Sequence, residues 1–220
     1  DVVFSTNPME DADSYVLKAA KKFGVKTIAM PKSWDNISKM IFRAKPQVMA
    51  AWGAGFTKDF KKYQNMDEKD ILVAGVPQFD IYGAPEKLLS REEFFKKIGV
   101  PPEKNLLVFG SDAKYSPNDP EIIEMILGWI SQGELTRPCA VYIRPYFSNK
   151  ADEEKFKNFI GRENAVVDHW FARNNIFRDS WDYSYENFIH FSSLIRHMSI
   201  MLNYSSTLTL DAAACDKPVV

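Results

Sequence analysis

Short β-rich apolar runs alternate with helical patterns from one end of this 220-residue chain to the other. The runs fall at 2–4, 27–30, 48–51, 71–73, 106–109, 140–143, 165–167, 200–202 and 219–220. Helical segments at 13–23, 33–44, 56–63, 91–98, 120–131, 151–160 and 185–197 sit between most of them. Continuous apolar strands are buried on both faces, and a helix between consecutive strands supplies the crossover that a parallel pair requires. The alternation therefore predicts an α/β fold of parallel sheets covered by helices. The rhythm breaks once, over the Pro- and Gly-rich stretch 75–102 with its amphipathic Arg91-Glu-Glu-Phe-Phe-Lys-Lys-Ile98 helix, and a second βα series starts directly after it. A boundary is expected near residue 85, giving two doubly wound domains, 1–85 and 86–220, that face a cleft. Ligands of such sheets bind outside the carboxyl ends of the strands. The second sheet offers Gly110-Ser-Asp-Ala-Lys114, Arg144-Pro-Tyr-Phe147 and Tyr204-Ser-Ser-Thr207 there, with Asp168-His-Trp170 after the strand between the last two.

Composition narrows the function classes. The chain is 45% hydrophobic and 14% aromatic, enough for one large or two small cores, and its 28 basic and 29 acidic residues almost cancel. That balance leaves no electrostatic footprint for a nucleic-acid backbone, so no nucleic-acid partner is expected. Cys139 and Cys215 lack metal-type spacing, which fits small core residues in a reducing compartment. No apolar run approaches the ~20 residues of a membrane span, and a cytoplasmic protein is expected. The strand-like runs at both ends, without covering neighbours, read as those of a piece of a longer protein.

The run from Ser199 to Val220 reads as strand, hydroxyl-rich turn, short helix and new strand. Ser205 and Ser206 fit a helix cap, with Ser206 as N-cap, and Lys217-Pro218 ends the helix. Backbone amides with the Ser205, Ser206 and Thr207 hydroxyls suit a diphosphate, and Asp211, four residues after Thr207 on the same face, suits a ribose diol. The alternative is a plain capped helix with a solvated Asp211. Arg144 at a strand end suits bidentate phosphate binding or pairing with a surface carboxylate. His169 is open to a base or sugar contact or to a structural role, and His190 and His197 read as structural. Asp35 is either an acid/base or sugar-binding residue or the cap of the helix after it. The aromatic group Trp170, Phe171, Phe177, Trp181, Tyr183 and Tyr185 either stacks on a ring or packs an irregular connection. Gly53 and Gly55 lack the third glycine and acidic partner of a dinucleotide fingerprint. No His/Asp/Glu cluster has metal spacing, and no metal site is expected.

Several segments together carry a family likeness. Ile71-Leu-Val-Ala-Gly-Val-Pro-Gln-Phe-Asp80 resembles the "V-x-G-x-P-x-x-D" segment that closes the first domain of GT-B-fold nucleotide-sugar enzymes. Leu107-Val-Phe-Gly-Ser111 resembles the strand and loop that open their second domain, and Ile143-Arg-Pro145 their strand ending "K/R-P-H-P". The run from Asn203 to Val219 resembles their "S-S/T-x-x-x-E-A-x-x-x-x-K-P-V" helix. Lys32-Ser-Trp-Asp-Asn36 resembles a segment of bacterial surface-polysaccharide enzymes, including the CDP-glycerol glycerophosphotransferase-like group. Motif order and spacing agree over most of the chain. Tyr146 stands where many relatives have a histidine, Asp211 replaces the usual glutamate, and the early strands of the first domain, the half in which the family usually carries its general base, are absent.

The resemblance implies two Rossmann-like domains, the first incomplete, and a glycosyltransferase moving a sugar from a nucleotide-activated donor to a surface-glycan or lipid-linked acceptor. It implies Gly110, Ser111, Arg144, His169, Ser205, Ser206, Thr207 and Asp211 as donor-binding residues, Asp35 as the catalytic candidate, and no cofactor beyond the donor. Peripheral attachment to the inner membrane face would require parts missing here. The alternatives on the same fold are a glycerophosphotransferase, a nucleotide-sugar epimerase, and a non-catalytic glycan- or nucleotide-binding domain.

Overall fold

The computed structural model describes residues 1–146, 150–169 and 184–220. Contacts divide the chain into two units, Asp1–Gln78 and Phe79–Val220. The first holds a four-stranded sheet of β1 (Val2–Ser5), β2 (Lys26–Ala29), β3 (Val48–Ala51) and β4 (Ile71–Val73), all parallel and in sequence order. Between them run α1 (Asp11–Lys22), α2 (Asn36–Lys39) and α3 (Phe56–Gln64). Asp11 and Asp13 open α1 while Lys21 and Lys22 close it, which matches the peptide dipole at both ends. Ala29, Ile37, Phe42, Met49, Ala51 and Phe60 form the core.

The helix predicted over 33–44 is only four residues long, and the cause is a side chain from the next helix. Gln64 is buried. Its Nε2 donates to the carbonyls of Ile37 and Met40 at 2.6 and 2.7 Å, and its Oε1 accepts from the Phe42 amide at 2.9 Å. These backbone groups, which a continuing helix would use, are satisfied elsewhere, and Met40 turns to an extended conformation.

The second unit holds β5 (Asn105–Gly110), β6 (Cys139–Arg144), β7 (Ala165–Val167) and β8 (Ile200–Asn203), parallel throughout in the order β7-β6-β5-β8. Its helices are α4 (Arg91–Ile98), α5 (Asp119–Ser131), α6 (Lys150–Phe156), α7 (Tyr185–His197) and α8 (Leu208–Ala214). Strand alternation sorts the core into two layers. Leu106, Val108, Ala140 and Tyr142 face Phe94, Phe95, Leu194 and Ala212 of α4, α7 and α8. Phe109, Val141 and Ile143 face Ile123, Ile126 and Phe156 of α5 and α6. The order matches a right-handed doubly wound sheet, since reversing direction at β5 puts helices on both faces. Val219 bridges Met201 in parallel, and the Val220 amide donates to the Met201 carbonyl at 2.9 Å.

From Phe79 onward, the stretch that breaks the βα rhythm belongs to this unit, because Ile81 and Tyr82 are buried in the same core as Phe94 and Phe95, and the division falls after Gln78 rather than near residue 85. A complete capping box at Ser90 and Glu93 starts α4, and Gly99, at φ 72°, ends it in the left-handed conformation that glycine adopts without strain.

Candidate donor site at the carboxyl ends of the second sheet

Register places the candidate residues in one row. Gly110, at the end of β5, is paired with Arg144 of β6 on one side and Asn203 of β8 on the other. A parallel sheet directs all its carboxyl ends to one edge, so loops far apart in sequence meet there. A Cβ at Gly110 would stand 3.0 Å from Leu208 Cδ1 at the start of α8, so the turn packs closely against the strand end and a side chain here would push the Leu208 tip aside.

The structure separates residues that hold this edge together from residues that face outward. Ser111 is buried. Its hydroxyl donates to Asp119 Oδ2 at 2.7 Å, lies 3.0 Å from Asp152 Oδ1 and accepts from Lys155 Nζ at 3.1 Å, while its amide donates to the Arg144 carbonyl at 3.0 Å. Lys155 also pairs with Asp119 and Asp152, each at 2.9 Å, and donates to the carbonyls of Ala113 and Ser116. The Ser111 side chain thus ties the β5–α5 loop to α6, contrary to the expectation that it contacts a donor.

Arg144 is equally committed. It is 7% exposed, its Nη1 lies 2.6 Å from Asp168 Oδ2, and its guanidinium lies over the Phe191 ring at 4.7 Å from the centroid. Its partner is the buried Asp168 just after β7, and the surface-carboxylate alternative fails on burial. His169 is exposed, and its Nδ1 donates to the Val167 carbonyl at 3.1 Å. His190, buried beside Phe94 and 3.0 Å from the Tyr142 hydroxyl, has its pKa lowered to about 4 by burial. His197 donates to the Leu89 carbonyl at 2.7 Å.

The turn into α8 has the outward-facing groups. Asn203 Oδ1 accepts from the Ser206 amide at 2.9 Å, and Ser206 Oγ accepts from the Leu208 amide at 3.3 Å. The N-cap is Thr207 rather than Ser206, one residue later than the hydroxyl pattern predicts, because Asn203 takes the Ser206 amide and extends the turn. The amides and hydroxyls of Ser205 and Thr207 make no hydrogen bond to described residues, and both side chains are exposed.

Asp211 is half-buried rather than solvated. Its Oδ1 accepts from the Tyr82 hydroxyl at 2.8 Å. Burial raises its pKa to about 6, against the lowering effect of the Tyr82 hydrogen bond and the Arg144 charge. A carboxyl poised at that value changes charge near neutrality, a property concentrated at functional sites.

Asp35 does not cap α2. It stands at the N-cap position in helical conformation without a side-chain cap bond, and its carboxylate pairs with Lys39 four residues on. Burial raises its pKa, but Lys39 and Ser33 outweigh that and hold it below the usual carboxylate value. An ionised, ion-paired group of this kind is poorly placed to donate a proton. Of the aromatic group, only Tyr185 lies within the described residues, at the first turn of α7. Trp170, Phe171, Phe177, Trp181 and Tyr183 lie outside them, as does Phe147.

A groove of about 890 Å³ opens on the other side of the sheet, between α5 and β8, lined by Leu107, Ile122, Met125, Trp129 and Leu202 among others. Its walls are mostly apolar, and neither the Ser205–Thr207 turn nor Asp211 lines it. The sequence reading placed Asp168 at this edge without giving it a role and missed Tyr82. Asp168 carried a usable signal, as an acidic residue directly after a β-run beside an arginine-ended strand; Tyr82 carried none, lying 129 residues from its partner.

No family model matches the chain, and no curated protein sequence does. Solved structures match over its whole length. A UDP-N-acetylglucosamine 2-epimerase of Listeria monocytogenes, itself assigned by likeness, superposes at TM-score 0.66 with 13% identity, covering 100% of this chain and 56% of its own. The UDP-GlcNAc 2-epimerase of Neisseria meningitidis, solved with UDP-GlcNAc, gives 0.61 at 12% identity, covering 99% and 57%. A variant of the wall teichoic acid polymerase TagF gives 0.52 at 12% identity, covering 99% and 69%. The chain spans little more than half the length of the epimerases it matches. Two parallel α/β units in this order define the GT-B-type fold, and the structures it resembles are nucleotide-sugar enzymes of that fold. Among the described residues no helix is long and apolar enough to cross a membrane.

Proposed function

We propose that this chain is the donor-handling part of a GT-B-type transferase, which moves a glycosyl unit from a nucleotide-activated donor to a surface-glycan acceptor. The observation that carries the reading is the edge where β5, β6 and β8 end. Within a few residues it combines uncommitted amides and hydroxyls at Ser205 and Thr207 with a partly buried carboxylate, Asp211, that keeps one oxygen beyond its bond to Tyr82. Diphosphate oxygens require donors and a ribose diol requires an acceptor, so the two halves of a nucleoside diphosphate match the two halves of this edge.

Arg144, paired with Asp168, still acts on the site through its charge, which favours the ionised form of Asp211. Donors aimed at the β-phosphate stabilise the charge that develops on a departing nucleoside diphosphate, the contribution expected from such an edge.

Isothermal calorimetry of the intact protein with UDP, GDP, CDP, CDP-glycerol and UDP-GlcNAc tests the reading. One of them should bind, and Thr207→Val or Asp211→Ala should each weaken it about tenfold or more, the loss of a hydrogen bond to a charged group. Failure of all five to bind, or unchanged affinity in both variants, refutes it.

A further inference from the structure

The carboxylate proposed above as the ribose acceptor is held by a second residue. Tyr82 lies in the 3-10 stretch Pro77–Gly83, and its side chain is 7% exposed, packed beside Phe79 and within the core that includes Phe94 and Phe95. A ring so enclosed has one place for its hydroxyl, and that place is 2.8 Å from Asp211 Oδ1. Burial and the charge of Asp211 push the Tyr82 pKa well above the usual phenol value, so the hydroxyl remains a donor throughout the working range of pH. A fixed donor on one carboxylate oxygen sets the rotation of the group and so the direction of the other oxygen.

Resting on the transferase reading, we infer that Tyr82 is a positioning residue for the nucleotide: its hydroxyl orients the Asp211 carboxylate so that the second oxygen accepts from the ribose diol. It does not touch the ligand. It links the segment between β4 and α4 to the far end of the chain, two pieces that no local motif joins.

The groups facing Asp211 make the role measurable. Tyr82 and Arg144 both favour its charged form, and Arg144 reaches it from the end of β6. Cys215, one turn along α8, is a neutral thiol whose pKa burial raises, with Arg196 of α7 and Lys217 acting on it from the other side. Removing the Tyr82 hydroxyl takes away the largest of three stabilisers of the Asp211 anion, the others being the Arg144 charge and the residue's own backbone amide. Nucleotide binding that needs this anion should then fail at a higher pH.

The experiment compares wild type, Tyr82→Phe, Asp211→Asn and the double variant by calorimetry between pH 5.5 and 8.5. The probes are the tightest-binding of UDP, GDP and CDP and its 2′-deoxy counterpart. Tyr82→Phe keeps the ring, and its melting temperature confirms the fold. It should weaken the ribonucleotide about five- to tenfold at pH 7 and move the acid limb of binding up by about one pH unit. It should leave the 2′-deoxynucleotide almost unchanged, and in the Asp211→Asn background it should have no further effect. Equal weakening of both nucleotides, an unmoved acid limb, or an additive double variant would overturn the positioning role while leaving the transferase reading intact. If the wild type binds none of the nucleotides, the transferase reading falls and Tyr82 has nothing to position.

Discussion

Replacing Asp211 by asparagine should make this protein more stable at neutral pH, by an amount that the structure sets. Burial lifts the carboxyl from 3.8 to about 6 even after Tyr82 and Arg144 have lowered it. That is a shift of about two units, each worth about 1.36 kcal/mol, so the ionised form costs the native state about 3 kcal/mol above pH 6. The sign follows from proton counting. Between pH 3.8 and about 6 the native state holds a proton that the unfolded chain has lost, so stability from this group rises as pH falls and is lost as pH rises through about 6. An asparagine carries no such penalty and still offers an oxygen to the Tyr82 hydroxyl.

Urea unfolding of wild type and Asp211→Asn, paired at half-unit steps from pH 4 to 8, gives the difference directly. The variant should be the more stable by about 3 kcal/mol at pH 8, with the gap closing toward pH 4. A constant difference, or a wild type more stable at pH 8, would refute the claim that this carboxylate is held at a cost. A stabilised variant that has also lost nucleotide binding is the signature of a residue kept for function against stability.

His190 should act in the opposite direction. Burial holds its pKa at about 4 against 6.5 in the unfolded chain, so stability is lost as pH falls from 6.5 toward 4, by about 3 kcal/mol, and the gap between wild type and His190→Gln should narrow over that window in urea unfolding. The Asp211 and His190 contributions oppose one another between pH 4 and 6, so the paired variants rather than the wild-type profile resolve them. Arg144→Met should destabilise by about 3–5 kcal/mol by removing the charge that lies 2.6 Å from the buried Asp168 carboxylate, and adding Asp168→Leu should recover much of that loss in the same assay.

The strands were legible because a buried parallel strand is a local statement. Leu106 to Phe109 or Ala140 to Ile143 must be apolar on both faces, and nothing else in the sequence needs to be known. Helices α4 and α7 were legible for a similar reason, the helical pattern over 91–98 and 185–197 lying wholly within each segment. The helix over 33–44 was misread because its end is decided by Gln64, more than twenty residues away, and helical periodicity carries no trace of a side chain that intercepts the backbone.

The candidate site divides along the same line. Strand ends name which residues arrive at the carboxyl edge, and Gly110, Arg144 and Asn203 do stand there in register. Whether a polar residue at that edge faces a ligand or supports the wall depends on its partners, and those lie 8 residues away for Ser111 with Asp119, 24 for Arg144 with Asp168 and 129 for Asp211 with Tyr82. Serine and arginine were given to the donor by type, yet both are buried and spent within the protein. The groups left over are small hydroxyls, their amides and one carboxylate with a raised pKa. Their chemistry is modest individually, and it is the committed residues around them that hold it in one place, so the test of this site lies as much in Tyr82 and Arg144 as in the residues that would touch the nucleotide.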